Sequence, residues 1–212
     1  MKQALKVALG SLAIILFLFV GWQGRADGQV TTDRAVGAAN QAAADFKLTD
    51  QDGRPFRLSQ LRGKFVLLFF GYTSCPDACP TTLSKLSRVY KTLGDTEGER
   101  VVTLFVSVDP GRDTPTALKK YLAYFRINAV GLTGTKAEID EVVRRYGARY
   151  EIEQSDSAAG YHINHSTDLY LLDRKGEVAH RFSYSDSAQV IAEGVRRLQA
   201  GQGDERSEKR NN

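Results

Sequence analysis

"KFVLLFFGYTSCPDACPTTLSKLSRVYKTL", residues 64–93, changes its period partway along. Residues 64–70 form an almost unbroken apolar run, the pattern of a strand covered on both faces. From about Pro80, Leu83, Leu86, Val89, Tyr90 and Leu93 recur at helical spacing. A buried strand gives way to a helix, and near that junction stand Cys75 and Cys79, the only two cysteines in 212 residues.

The same alternation continues on either side. "DFKLTDQDGRPFRL" reads as a hairpin about Asp52 and Gly53. "RVVTLFVSVD" is a second buried strand, and "DTPTALKKYLAYF" starts a helix with Thr114 as cap and Pro115 at its first position. A short strand, "AVGLTG", leads to "TKAEIDEVVRRYG", where Thr135 and Glu138 have capping-box spacing and Gly147 is a stop. "TDLYLLD", the turn "RKG" and "EVAHRFSY" close the chain as a hairpin, followed by a helix over roughly 187–200. The predicted class is α/β, with a mixed central sheet flanked by helices in a thioredoxin-like arrangement over residues 45–200.

The ends have a different composition. Lys2 and Lys6 precede an apolar run from Val7 to Trp22, so residues 1–22 read as an N-terminal transmembrane anchor, with a signal sequence as the alternative. Trp22, Gln23, Gly24 and Arg25, which end the run, do not form a small-x-small cleavage site, and the lysines would keep the N-terminus cytoplasmic. That places the remaining domain in the periplasm or an equivalent space outside the cytoplasm. Residues 23–44, rich in Ala, Gly, Gln and Thr, suit a flexible linker, and residues 201–212, without an apolar residue, a disordered tail. The net charge of +4 comes from 29 basic and 25 acidic residues without a continuous basic stripe, which argues against a nucleic-acid partner.

Three uses of the cysteine pair compete. Closing so short a loop as a staple contributes about 2 kcal/mol, little for a domain of this size. As a redox couple, Cys75 would gain thiolate character from the helix N-terminus. Spacing favours metal, because residues four apart on a regular helix hold their Cβ atoms about 5–6 Å apart, wider than the roughly 4 Å of a disulfide. Two thiolates select Cu(I), whereas structural zinc requires four ligands. The chain has three histidines, and two of them, His162 and His165, lie in an unpatterned loop, "EQSDSAAGYHINH". In a thioredoxin-like sheet this loop neighbours the one after the first buried strand, so either imidazole could approach the sulfurs. His180 alternates with Val178 and Phe182 and reads as a packing or surface residue.

"GYTSCPDACP", "VSVDPGRDTP", "YLAYF", "GLTG" and "NHSTDLYLLD", in that order, resemble the Sco/SenC family of membrane-anchored copper proteins over about residues 45–200. The resemblance implies a thioredoxin-like fold, Cys75, Cys79 and His165 as copper ligands, and Asp109 as an outer-shell residue. It implies a chaperone that holds Cu(I), and Cu(II) after oxidation, and delivers it to the copper A subunit of cytochrome c oxidase, with an exported copper donor as a further partner. The alternative is a thiol-disulfide oxidoreductase in which Cys75 and Cys79 reduce that subunit's cysteines. Asp77 and Tyr72 are further outer-shell candidates. Asn164 stands where the family often has an acidic residue, and with Met1 as the only methionine a methionine-rich copper site is ruled out.

Overall fold

The computed structural model describes residues 45–155 and 160–208, the segment 202–208 by its backbone alone. The expected anchor 1–22 and linker 23–44 lie outside the described residues. Among the described residues, no helix is long and apolar enough to cross a membrane.

The chain opens with β1 (Lys47–Asp50) and β2 (Pro55–Arg57), an antiparallel hairpin. The Asp50 carboxylate accepts from the amides of Asp52 and Arg54 at 2.8 and 2.9 Å, and Gly53 has a φ of 77° that an L side chain resists. β3 (Phe65–Gly71) leads to α1 (Ala78–Gly98), β4 (Val101–Ser107), α2 (Pro115–Ala123), β5 (Ala129–Thr133) and α3 (Lys136–Arg145). The main sheet is completed by β8 (Leu169–Leu172) and β9 (Val178–Phe182), and α4 (Ala188–Glu208) follows. Between α3 and β8 lie two further strands, β6 (Tyr150–Gln154) and β7 (Tyr161–His165).

Seven strands form one sheet in the order β2-β1-β5-β4-β3-β8-β9, with β3, β4 and β5 parallel and the other pairings antiparallel. This is the mixed sheet that the alternating runs predict. β3 and β4 are buried along their whole length, and their side chains divide between two cores. Phe65, Leu67, Phe69 and Phe105 meet Leu83 and Leu86 of α1, Leu118 of α2 and Ile191 and Val195 of α4. Val66, Leu68, Phe70 and Val106 meet Ile139, Val142 and Val143 of α3 on the other face. Full burial of each such side chain contributes about 1.5–3 kcal/mol.

The helix caps follow the sequence. Thr114 accepts from the Ala117 amide at 3.2 Å with Pro115 at the first helical position, and Thr135 and Glu138 form a reciprocal capping box. Gly147, with φ 63°, ends the segment after α3. α4 runs to Glu208, beyond the end at about 200 suggested by the loss of apolar residues.

Two readings need correction. The Cβ spacing of a regular helix does not apply to the cysteine pair, because α1 begins at Ala78 and Cys75 stands before it, at the strand-to-helix junction that the sequence predicts. Pro76 disfavours helical backbone at the residue before it, while Pro80 falls in the first helical turn, where its missing N–H costs nothing. The two prolines therefore bracket the helix start, and Cys75 sits in a turn, its amide donating to the Tyr72 carbonyl at 3.2 Å. The stretch read as an unpatterned loop is instead the antiparallel β6–β7 hairpin, a two-stranded sheet of its own.

Candidate metal centre

β3 ends at Gly71, and the chain turns through Tyr72–Cys75 into α1. Cys79, in the first turn of α1, is 1 % exposed within the helix-side core, while Cys75 is half-buried. Gly71 leaves the space that the Cys79 sulfur fills, since a Cβ there would lie 2.5 Å from Sγ.

The third group arrives on β7. Side chains alternate along a strand, so Tyr161, Ile163 and His165 face inward while His162 and Asn164 face out. His165 Nε2 stands 3.8 Å from Cys75 Sγ and 3.5 Å from Cys79 Sγ. Ligand atoms of the three residues all lie within 4.8 Å of one another. Nδ1 donates to the Ser166 carbonyl at 2.9 Å, which leaves Nε2 as the ring nitrogen directed at the sulfurs. Ring orientation is thus set by a backbone carbonyl. Asn164 bonds Glu153 Oε1 at 2.5 Å on the outer face, and His162 pairs with Glu153 Oε2 at 2.8 Å. His162 therefore does not compete for the site. His180 is exposed on β9, against the Phe182 ring.

The electrostatics separate the two thiols. The Cys79 thiol donating to Cys75 lowers the Cys75 pKa to about 3, with burial opposing and the His165 ring and the amides of Cys79 and Asp77 assisting. The same contact, with burial, pushes Cys79 up. Burial pulls His165 down, but the Cys75 thiolate and the Ser166 carbonyl outweigh it, and its pKa is raised. The result is a half-exposed thiolate, a buried thiol and an imidazole in contact with both.

The remaining candidates divide. Tyr72 is buried, its ring edge-on to His165 with centroids 5.7 Å apart, and its hydroxyl accepts from the Ile163 amide at 3.2 Å. Asp109 is 3 % exposed, accepts from the Tyr161 hydroxyl at 2.7 Å and pairs with Arg112. It thereby touches the hairpin that carries His165. Asp77 is exposed and accepts from the Thr81 hydroxyl at 3.2 Å, a local contact at the helix start.

The sequence reading missed Asp113, to which it gives no role. It is fully buried and accepts from the Thr73 amide at 2.9 Å, the Thr73 hydroxyl at 2.6 Å and the Ser107 hydroxyl at 2.7 Å. It fastens the turn that holds Cys75. Only a run of polar residues around it hints at this, because its main partner is 40 positions away.

A model of the SCO1/SenC family matches residues 34–200. A SCO2-like protein of Rickettsia conorii is 36% identical over 153 residues, 72% of this chain and 74% of its own length. The solved structure of Bradyrhizobium japonicum ScoI with copper bound is 36% identical, covers 74% of this chain and 98% of its own, and superposes with a TM-score of 0.67. BsSco, described with a disulfide switch and as a member of the Sco family of cytochrome c oxidase assembly proteins, is 26% identical. That match covers 76% of this chain and 95% of BsSco, with a TM-score of 0.60.

Proposed function

This chain belongs to the SCO1/SenC family, and on that premise we propose that it is a copper chaperone that binds the ion through Cys75, Cys79 and His165. Its role is delivery to the cytochrome c oxidase subunit that carries the copper A centre. The carrying observation is the convergence of two sulfurs and Nε2 within 4.8 Å, with Nδ1 already engaged by Ser166. Two thiolates and an imidazole form a soft donor set suited to Cu(I), and the imidazole also suits Cu(II). Copper here is cargo. Half-exposed Cys75 is the ligand that an incoming cysteine reaches first, while buried Cys79 is shielded, so release proceeds by ligand exchange at the Cys75 side. Copper bound in the similar Bradyrhizobium structure supports the reading. Residues 1–22 would anchor the protein in the inner membrane as a single pass, with the domain outside the cytoplasm and an exported donor supplying the ion.

The test is a Cu(I) titration of the reduced full-length protein. One copper per chain is expected, with loss of tight binding in Cys75→Ser, Cys79→Ser and His165→Ala. No binding by the reduced protein would overturn the proposal, and unchanged binding in His165→Ala would remove the histidine from it.

A second reading rests on the inequality of the thiols. The Cys75 thiolate would attack a partner disulfide, forming a mixed disulfide and releasing one partner thiolate. Cys79, losing its proton, would then displace the second, so that the partner is reduced and Cys75–Cys79 oxidised. The disulfide switch described for BsSco supports it.

A further inference from the structure

The β6–β7 hairpin is separate from the main sheet, so the placement of His165 depends on the side chains that fasten the hairpin. Two tyrosines carry such contacts: Tyr150, paired in register with His165, donates to Asp140 Oδ1 at 2.5 Å, and Tyr161, at the opposite end of β7, is held at more points. Its hydroxyl donates to Asp109 Oδ1 at 2.7 Å. Its carbonyl accepts from Arg112 Nη1 at 3.0 Å, and the Arg112 guanidinium lies 3.7 Å from its ring centre. Asp109, almost fully buried, also pairs with Arg112 Nε. Tyr161 is therefore held by hydroxyl, carbonyl and ring face at once, from the loop after β4. Two residues along, the Ile163 amide donates to Tyr72, and two further on stands His165.

We infer that Tyr161, gripped by Asp109 and Arg112, is a positioning residue that holds the hairpin, and with it His165, over the sulfur pair. Its consequence for copper rests on the function proposed above, whereas the clamp itself does not. An extended strand of this length spans about 13 Å, so a fixed inner-face residue at one end restrains the other. A hydrogen bond to a charged acceptor is among the stronger ones, and its loss raises local opening about tenfold.

The test compares reduced full-length wild type, Tyr161→Phe, Glu153→Ala and His165→Ala. Tyr161→Phe keeps the ring and its stacking and removes only the bond to Asp109. Glu153→Ala removes only the outer-face bonds to His162 and Asn164. Hydrogen exchange of the hairpin amides is read first, and the Cu(II) spectrum second. In Tyr161→Phe, exchange about tenfold faster is expected, with a spectrum shifted towards that of His165→Ala, while Glu153→Ala matches wild type in both. Wild-type exchange in Tyr161→Phe overturns the inference, as does faster exchange with an unchanged spectrum where His165→Ala alters it. If His165→Ala leaves the spectrum unaltered, the copper reading has failed and exchange alone decides the clamp. Should Tyr161→Phe not fold, Arg112→Lys, which keeps the charge but loses the stacked fork, is judged by the same criteria.

Discussion

Gly71 and Cys79 lie against each other so closely that a methyl group on the first would occupy the sulfur's space. An ideal Cβ at Gly71 stands 2.5 Å from Cys79 Sγ and 2.8 Å from Phe105 Cε2. Neither neighbour yields easily, since Cys79 of α1 and Phe105 of β4 both belong to the packed helix-side core. Gly71→Ala is therefore expected to destabilise the fold by about 1–3 kcal/mol, as overpacking does. It should also weaken Cu(I) binding by moving one sulfur away from the other two donors. Chemical denaturation and a Cu(I) competition titration check both effects. A variant with wild-type stability and affinity would show that the site does not depend on this contact.

Asp113 governs the other cysteine. Its buried carboxylate collects three donors from Thr73 and Ser107, and Thr73 lies two residues from Cys75. Burial pushes its pKa up, and the hydrogen bonds from Thr73 and Ser107 only partly counter it. Asp113→Ala leaves these donors without their acceptor, at a cost of about 1–3 kcal/mol for a buried polar group left unsatisfied. Lower stability is expected together with weaker copper retention, measured by thermal unfolding and metal content. Unchanged values in both would show that neither the fold nor the site depends on these bonds.

The contrast between these residues explains how much was legible beforehand. The unbroken run 64–70 and the helical period from Pro80 place a buried strand before a helix, because burial imposes period on composition. That was enough to locate both cysteines. β6 left no such mark, since Glu151, Ile152, Glu153 and Gln154 are all exposed and nothing selects apolar residues there. Its partner did carry a signal in the alternation of Tyr161, Ile163 and His165 against His162 and Asn164. Asp113 was illegible for a different reason: a carboxylate after a turn caps loops everywhere, and only the fold brings Thr73 to it.

Cys75 makes a pH prediction. Its thiol is lowered to about 3, mainly by the Cys79 donor, so the thiolate predominates throughout the ordinary pH range. Alkylation of the reduced, metal-free protein by iodoacetamide should modify Cys75 at a rate nearly constant between about pH 5 and 8. An unperturbed thiol instead gains about tenfold per pH unit below a pKa of roughly 8.5. Because the folded value lies below the unfolded one, the thiolate's contribution to stability is full above the unfolded pKa and fades as pH falls towards about 3. A rate that climbs through pH 8 would refute the assignment of Cys75 as the standing thiolate.

The same asymmetry fixes the order of events in any disulfide exchange. Attack requires an accessible thiolate, and among the described residues only Cys75 is a half-exposed cysteine. Cys79 is buried with its pKa raised, and reaches a disulfide sulfur only after that sulfur is bonded to Cys75. Cys79→Ser, incubated with glutathione disulfide, is therefore expected to accumulate one glutathione on Cys75, because nothing resolves the adduct. Cys75→Ser should stay unmodified, and the wild type should pass through the adduct to an internal disulfide. Intact-protein mass spectrometry separates the three outcomes. Equal trapping in both single variants would mean that the helix-side core opens enough to expose Cys79, and the assignment of attacking and resolving sulfurs would fall with it.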